Sequence, residues 1–222
     1  MSRNNSARLV KEIIRDVDKT VDELYKKELI RDRNGIAHKK TGPNSYEISF
    51  SGKTPANSVM YDKHISVSYL MRQLLAEHQY SVLLYDKGII QAEFCIDDGK
   101  IVKERLIFLK KHNRIWSKDE IANADLDGED WFEEEDGIST LLRIDYDPSE
   151  HIECNHPVSH LTISNNETCR IPIQNAISFS EFTSFVLLHF YGEDINSVLF
   201  HLCQEPSITA AERKMFHISW NI

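Results

Sequence analysis

The segment IIQAEFCIDDGKIVKERLIFL, residues 89–109, decides the fold because it predicts two long antiparallel strands joined by a tight turn. Before the turn, apolar side chains alternate with a more polar set, and the apolar ones are Ile90, Ala92, Phe94 and Ile96. A period of two is typical of a strand with two different faces. Asp98-Gly99 suits the turn because both central residues of the preferred hairpin turn need positive φ.

Strands and helices are predicted on both sides of this hairpin. Strands are expected at 46–50, 81–86, 140–146, 158–164 and 169–173. Apolar residues spaced by three and four predict a helix over 9–30 and a second helix that ends near Gln79. Ser178 and Glu181 form a capping box ahead of a third helix, which is apolar nearly all round and therefore buried. Residues 31–45 are expected to be a loop, and short helices are expected at about 194–203 and 208–217.

The order of helices, antiparallel strands and helices predicts the α+β class, with N-terminal and C-terminal helices covering a curved antiparallel sheet. With 222 residues, of which 41% are hydrophobic, the chain can bury one sizeable core. We therefore expect a single domain over residues 1–222.

Charge is distributed unevenly along the chain. Residues 1–116 carry a net charge of +6, residues 117–136 carry −9, and residues 137–222 carry −6. The acidic band 117–136 has few strand formers and is expected to be an exposed insertion anchored by Trp131-Phe132.

Several classes of protein are disfavoured. The four cysteines form no CxxC pair, which disfavours a zinc ribbon or a disulfide framework and favours a reducing compartment. The sequence shows no apolar leader and no uncharged run of the ~20 residues that span a bilayer, so we expect a cytoplasmic protein with no membrane partner. It also lacks a Gly-rich phosphate loop and a GxSxG motif, which argues against nucleotide hydrolysis and acyl transfer. No cofactor is predicted.

One region is dense in residues that carry chemistry. It contains Arg143, Asp145, His156, His160 and Arg170. Arg143 and Asp145 share one face of a predicted strand, and His160 shares a face of the next strand with Thr162. If the two strands pair, Asp145 and Arg143 lie across from His160, and we expect all these groups to converge on one concave surface.

Three interpretations of this region stay open. In the first, His156 and His160 are the general acid and base of phosphodiester cleavage, while Arg170 or Arg143 binds the phosphate. In the second, a transition metal is bound by His151, Cys154, His156 and His160, with Asp145 or Asp147 as a further ligand, although their spacing is not a standard zinc spacing. In the third, the residues are structural: Asp145 pairs with Arg170 or His160, and His156-Pro157 makes a turn.

The same residues carry a family resemblance. The matching stretches are Arg143-x-Asp145-Tyr146, His156-Pro157-x-Ser159-His160-Leu161-x-Ile163, Cys169-Arg170-Ile171-Pro172-Ile173 and the closing run from Phe182 to Tyr191. Together they resemble the bacterial domain-of-unknown-function family 2290 over roughly the last 80 residues. The Asp…His-Pro…His layout is also similar, more loosely, to small toxins of bacterial toxin–antitoxin modules. These resemblances imply a bacterial cytosolic protein from defence or mobile-element gene neighbourhoods and leave the mechanism open.

Two functions from different classes therefore stay open. One is a toxin-like or defence-associated nuclease that acts on RNA through His156, His160, Asp145, Arg143 and Arg170. Basic residues between 100 and 114 offer it a phosphate-binding surface, unless they are simply solvated. The other is a non-catalytic subunit that docks on a larger effector protein through the acidic band and the buried C-terminal helices. An antitoxin would be the partner of the first, and the effector complex the partner of the second.

Overall fold

The computed structural model describes residues 2–53, 66–112, 138–164, 166, 168–195, 199–202 and 206–219. The helices of these ranges are α1 (Ser2–Lys26), α2 (Val67–Ala76) and α3 (Phe179–Tyr191). The strands are β1 (Ile30–Arg33), β2 (Ile36–Lys40), β3 (Tyr46–Phe50), β4 (Val82–Leu84), β5 (Ile89–Asp97), β6 (Lys100–His112), β7 (Ile138–Tyr146), β8 (Ser159–Ile163) and β9 (Arg170–Pro172).

These strands form one open antiparallel sheet. Its main path runs β1-β4-β5-β6-β7-β8-β9, while β3 pairs with β5 and carries β2 on its other side. The predicted hairpin is the centre of the sheet: β5 and β6 pair from Ile89 with Leu109 to Asp97 with Lys100. Asp98 and Gly99 have φ values of 45° and 80°, as the turn requires. The predicted α+β class is confirmed.

The two faces of the sheet pack against different helices. On one face, Ile13 of α1 and Phe182 of α3 pack on Leu106 and Ile144 within a single large core. The capping box that begins α3 is present, with the Ser178 hydroxyl accepting a hydrogen bond from the Glu181 amide at 3.1 Å. The N-terminal and C-terminal helices therefore cover this face, as predicted.

The opposite face is apolar at one end only. There Leu70, Met71 and Leu74 of α2 pack against Ile107 and Leu141 in a second, smaller core. Beyond this core the side chains on the same face are charged. Arg105 lies two residues before Ile107 in β6, and Arg143 lies two residues after Leu141 in the antiparallel strand β7. Because residues i and i+2 of a strand share a face, the charged groups form a polar continuation of the same surface.

The loop predicted over 31–45 is wrong. Residues 30–33 and 36–40 are strands. The first pairs with the distant strand β4, where Ile30 lies opposite Leu84, and the second pairs with the next strand, β3, where Ile36 lies opposite Phe50. Both strands are short, and most of their side chains are exposed. Their charged side chains are suited to the edge of a sheet. A strand at the edge has few buried apolar residues, so the alternating pattern that predicts a strand is weak there.

The two short helices predicted near the C-terminus are also wrong for the described residues. Residues 194–195 and 199–202 are not helical, and the region 208–217 contains a single 3₁₀ turn, Glu212–Lys214. The chain here is held instead by the sheet, since the Ile218 amide donates to the Pro172 carbonyl at 2.9 Å and Ile218 bridges Ile173 in parallel. This tertiary pairing overrides the local helical pattern.

The acidic band 117–136 lies outside the described residues. Within the described part of the chain, no helix is both long and apolar enough to cross a bilayer.

Carboxyl groups are buried beneath α3. Burial raises the pKa of Asp16 to about 6, although its Oδ2 accepts a hydrogen bond from the Ser180 amide. Glu104 of β6 is 1% exposed, and its Oε1 accepts from the Ile177 amide at 3.3 Å. Burial raises the pKa of Glu104 well above the usual value, and the nearby Glu181 adds to this effect. Glu104 is therefore favoured in its protonated form.

Glu104→Gln is expected to stabilise the protein at high pH. The pKa of Glu104 is higher in the folded protein than in the unfolded chain. Its contribution to the free energy of unfolding is therefore fully present at acid pH and is lost as the pH rises towards the pKa of the folded state. Glutamine keeps the acceptor for the Ile177 amide and carries no charge. We expect a gain of about 1–3 kcal/mol in the free energy of unfolding at pH 8 and almost none at pH 4.5. Urea denaturation at both pH values measures it, with the exposed Glu153→Gln as control, and a gain that is equal at both pH values would refute the assignment.

Candidate functional site

The charged end of the sheet places its side chains in two rows across neighbouring strands. In the first row Arg105 pairs with Asp145, and Asp145 pairs with His160. In the second row Arg143 pairs with Thr162, and Thr162 pairs with Arg170. Directly opposite residues in antiparallel strands have Cβ atoms about 4.5–5.5 Å apart, so each row is continuous. The predicted pairing of the two strands and the shared face of their polar side chains are both observed.

Asp145 lies between two guanidinium groups. Its Oδ1 accepts from Arg105 Nε at 2.9 Å, and its Oδ2 accepts from Arg143 Nε at 2.6 Å. Burial alone would raise the pKa of Asp145, but the charges of Arg143 and Arg105 outweigh burial and lower it. Asp145 is therefore ionised at neutral pH. Among the described residues its ion-pair partners are these two arginines and not Arg170. His160, the other partner in the structural interpretation, lies opposite Asp145 and also lowers its pKa.

His160 is buried next to this ion-paired group. It is 1% exposed, and its Nδ1 lies 2.9 Å from the Pro157 carbonyl oxygen. Since a carbonyl only accepts, Nδ1 carries the proton and Nε2 keeps its lone pair. Burial lowers the pKa of His160, against the opposing effects of the Pro157 carbonyl and Asp145. The ring is thus a neutral imidazole with one basic nitrogen.

His156 reaches the same place from the loop between β7 and β8. The loop folds back on itself, with the His156 amide donating to the Ile152 carbonyl at 2.7 Å. The ring meets His160 edge to face, with centroids 4.8 Å apart and an interplanar angle of 73°. The two imidazoles are therefore adjacent and differ in their surroundings, because His156 is only half-buried.

These groups line a cavity of about 200 Å³. Its lining includes all five residues predicted from the sequence: Arg143, Asp145, His156, His160 and Arg170. It also includes Lys103, Glu104, Arg105, Tyr146, Asp147 and Glu150. Of these, Glu104, Tyr146 and Glu150 have no part in any of the interpretations from sequence, and Lys103 and Arg105 were expected only in a separate basic surface. Arg105 is the most important of these, because it binds Asp145. Only the register of β6 on β7 reveals this contact.

The metal interpretation gains no ligand set. His151 Nε2 lies 3.3 Å from a Glu212 carboxylate oxygen, and that carboxylate also accepts from the Cys154 amide. Cys154 is exposed, whereas His156 and His160 face the cavity. Among the described residues, no group of three or more His, Cys, Asp or Glu is placed to hold a metal ion.

The basic residues predicted to form a nucleic-acid surface are mostly ion-paired. Lys103 lies 3.0 Å from Asp147, Arg105 binds Asp145, and Lys110 pairs with Asp86. Lys110 also lies over the ring of Tyr191. Arg114 lies outside the described residues. Lys103 and Arg105 belong to the rim of the cavity rather than to a separate basic patch.

The fold and the cavity together define an α+β protein whose open antiparallel sheet carries a buried, charged histidine pocket on one face. The chain belongs to the family described as uncharacterised conserved protein, DUF2290, whose model matches residues 29–220. The resemblance noted in the C-terminal region thus extends over most of the chain. No curated protein and no solved structure matches it.

Proposed function

We propose that the protein is an RNA-cleaving phosphodiesterase that uses His156 and His160 as its proton-transfer pair. One observation carries the proposal: a neutral, buried imidazole with a fixed tautomer lies 4.8 Å from a second imidazole inside a pocket lined by guanidinium groups. Two adjacent imidazoles can take and give protons at neutral pH, and guanidinium groups match the geometry of phosphate.

The proposed step assigns each group one task. His160 Nε2 takes the proton from the 2′-hydroxyl of a ribose, and the 2′-oxygen attacks phosphorus. The bond from phosphorus to the 5′-oxygen breaks, and His156 donates a proton to that leaving oxygen. The products are a 2′,3′-cyclic phosphate and a free 5′-hydroxyl. Proton transfers of this kind contribute typically 10²–10⁴-fold to a rate.

The charged neighbours support this assignment. Asp145, ionised between Arg105 and Arg143, stabilises the imidazolium that forms on His160 and holds both arginines in place. Arg170 acts on the phosphate, and its positive charge also lowers the pKa of His160. The size of the cavity fits this role. Its volume is about 200 Å³, whereas pockets that enclose a drug-sized ligand usually measure ~300–1,000 Å³. One phosphate group enters, while the bases remain outside.

The biological setting is a further part of the proposal. We propose a bacterial toxin or defence protein, on the strength of the Asp…His-Pro…His layout alone. A small antitoxin encoded beside the gene would support it, and a large ATPase or nuclease encoded there would favour the docking subunit instead.

The activity is tested on the purified protein. RNA and DNA of one sequence are incubated with it in EDTA and, separately, in Mg²⁺. We expect cleavage of RNA in both buffers and no cleavage of DNA. Complete inertness together with a stable complex with a larger partner would remove the enzyme and favour docking through the acidic band. That docking is expected to fail when acidic residues of 117–136 are replaced by lysine.

A further inference from the structure

The turn that carries His156 is fastened to the rest of the chain by one side chain. This turn, residues 150–156, is closed by two hydrogen bonds: the Ile152 amide donates to the His156 carbonyl at 2.9 Å, and the His156 amide donates to the Ile152 carbonyl at 2.7 Å. Among the described residues, every hydrogen bond that joins the turn to the chain outside 147–158 goes to the carboxylate of Glu212.

Glu212 contacts the turn at two places, although it lies about 60 residues away in the sequence. Its Oε1 accepts a hydrogen bond from the Cys154 amide at 3.3 Å, and His151 Nε2 lies 3.3 Å from the same oxygen. The Glu212 side chain is 0% exposed, and a carboxylate buried to this extent needs hydrogen-bond donors. Burial alone would raise the pKa of Glu212, but the hydrogen bonds from the Thr209 and Cys154 amides and from His151 lower it.

Glu212 is itself held firmly in the C-terminal segment. Its Oε2 accepts from the Thr209 amide at 2.9 Å, and its own amide donates to Thr209 Oγ1 at 3.2 Å, which is the reciprocal pair of bonds typical of a capping box. On either side of this pair, the amides of Ser207 and Ile218 donate to carbonyls within residues 172–174, both at 2.9 Å. The segment therefore links the end of β9 to the turn that carries His156.

The placement of the turn decides where the His156 ring lies. His160 belongs to a paired strand and is buried, whereas His156 belongs to a loop, and the two rings meet with centroids 4.8 Å apart. A functional group on a loop is held less precisely than one on a strand, unless neighbouring groups fix the loop. Glu212 supplies this fixation through its two contacts with the turn.

We propose that Glu212 is a positioning residue of the site, whose carboxylate holds the turn 150–156 and thereby sets the His156 ring against His160. Glu212 acts only through the turn. The inference rests on the proposed function in one respect, because His156 is the general acid of that reaction. The placement of the ring is observable without any substrate.

The contact between the two rings is measured first, in the absence of RNA. Nuclear Overhauser effects between the ring protons of His156 and His160 are expected in the wild type, because the rings touch. Glu212→Ala removes both contacts with the turn and is expected to lose these effects. Thr209→Val is the matched control: it removes the hydroxyl that accepts from the Glu212 amide, leaves the carboxylate in place, and is expected to keep them.

A second variant keeps the test decisive if Glu212→Ala does not fold. His151→Ala removes one of the two contacts from a half-buried position on the turn, where a truncation is tolerated more easily. It is expected to weaken the effects between the rings at an unchanged unfolding temperature.

Cleavage of RNA is measured next, under single-turnover conditions. Glu212→Ala is expected to lower the maximal rate about 10²-fold, because a misplacement of ~1 Å has an effect of this size. The protein concentration that gives half of the maximal rate is expected to stay the same, since Arg170 lies on β9 and not on the turn. A merely structural role of Glu212 would lower the unfolding temperature and leave both the ring contact and the rate unchanged.

The two measurements fail separately. A wild type that shows the ring contact, loses it in Glu212→Ala and leaves RNA intact would refute the nuclease and keep the positioning role. Ring contacts that are absent from the wild type, equal in the wild type, Glu212→Ala and His151→Ala, or lost equally in Thr209→Val would overturn the role of the carboxylate, even if RNA is cleaved.

Discussion

Replacing either His156 or His160 by alanine is expected to lower the rate of RNA cleavage by on the order of 10²-fold or more, because each removes one partner of a proton transfer. Since His160 is buried, His160→Asn is the more informative variant: its amide can donate to the Pro157 carbonyl, as the ring does. The rate is measured on a short fluorescent RNA under single-turnover conditions. His38→Ala, at an exposed histidine of β2, is the control.

The pH dependence of the wild type gives a second readout. His160 must be neutral to accept a proton, so activity falls as the pH drops through its pKa. Burial lowers that pKa, which moves the acid limb of the profile below the ~6.5 of an ordinary imidazole. A general acid that works together with a general base makes the profile bell-shaped. Wild-type rates in both histidine variants, with thermal unfolding unchanged, would exclude these residues as the acid and base.

Asp145→Asn is expected to lower the free energy of unfolding at pH 7 by about 2–4 kcal/mol, because it leaves two guanidinium groups without their shared carboxylate. The figure lies towards the low end for a broken buried pair, since the Arg105 side chain is 24% exposed and partly hydrated. Urea denaturation measures it, with Asp22→Asn on the exposed face of α1 as control.

The same variant has a pH signature. The pKa of Asp145 is lowered in the folded protein, so its stabilisation is fully present above the unfolded value of ~3.9 and is lost as the pH falls through the folded value. The difference between the wild type and Asp145→Asn should therefore shrink below about pH 4. A variant as stable as the wild type at pH 7 would show that the Arg105–Asp145–Arg143 contacts contribute little.

Local pattern was enough to predict the centre of the molecule. The hairpin of residues 89–109 carries a period of two along its first strand and a turn that fits its residues, so sequence and fold agree there. The capping box at Ser178 is equally local, because both of its hydrogen bonds lie within four residues. The alternation of side chains along a strand also predicts that Arg143 shares a face with Asp145 and that His160 shares a face with Thr162.

Features that depend on distant partners could not be predicted in this way. β1 and β2 are short and charged, and their pairing with Leu84 and Phe50 leaves no periodic signal. Arg105 reaches Asp145 only because of the β6–β7 register, and residues 113–137 lie between these strands in the sequence.

The chemistry of the cleavage products tests the central claim most directly. An oligodeoxynucleotide with a single ribonucleotide is incubated with the wild-type protein in EDTA, and the product ends are identified by mass spectrometry. The His156–His160 mechanism predicts one cut, on the 3′ side of the ribonucleotide, that leaves a 2′,3′-cyclic phosphate and a 5′-hydroxyl. Cleavage at deoxynucleotides, ends with a 5′-phosphate and a 3′-hydroxyl, or an intact substrate would contradict it.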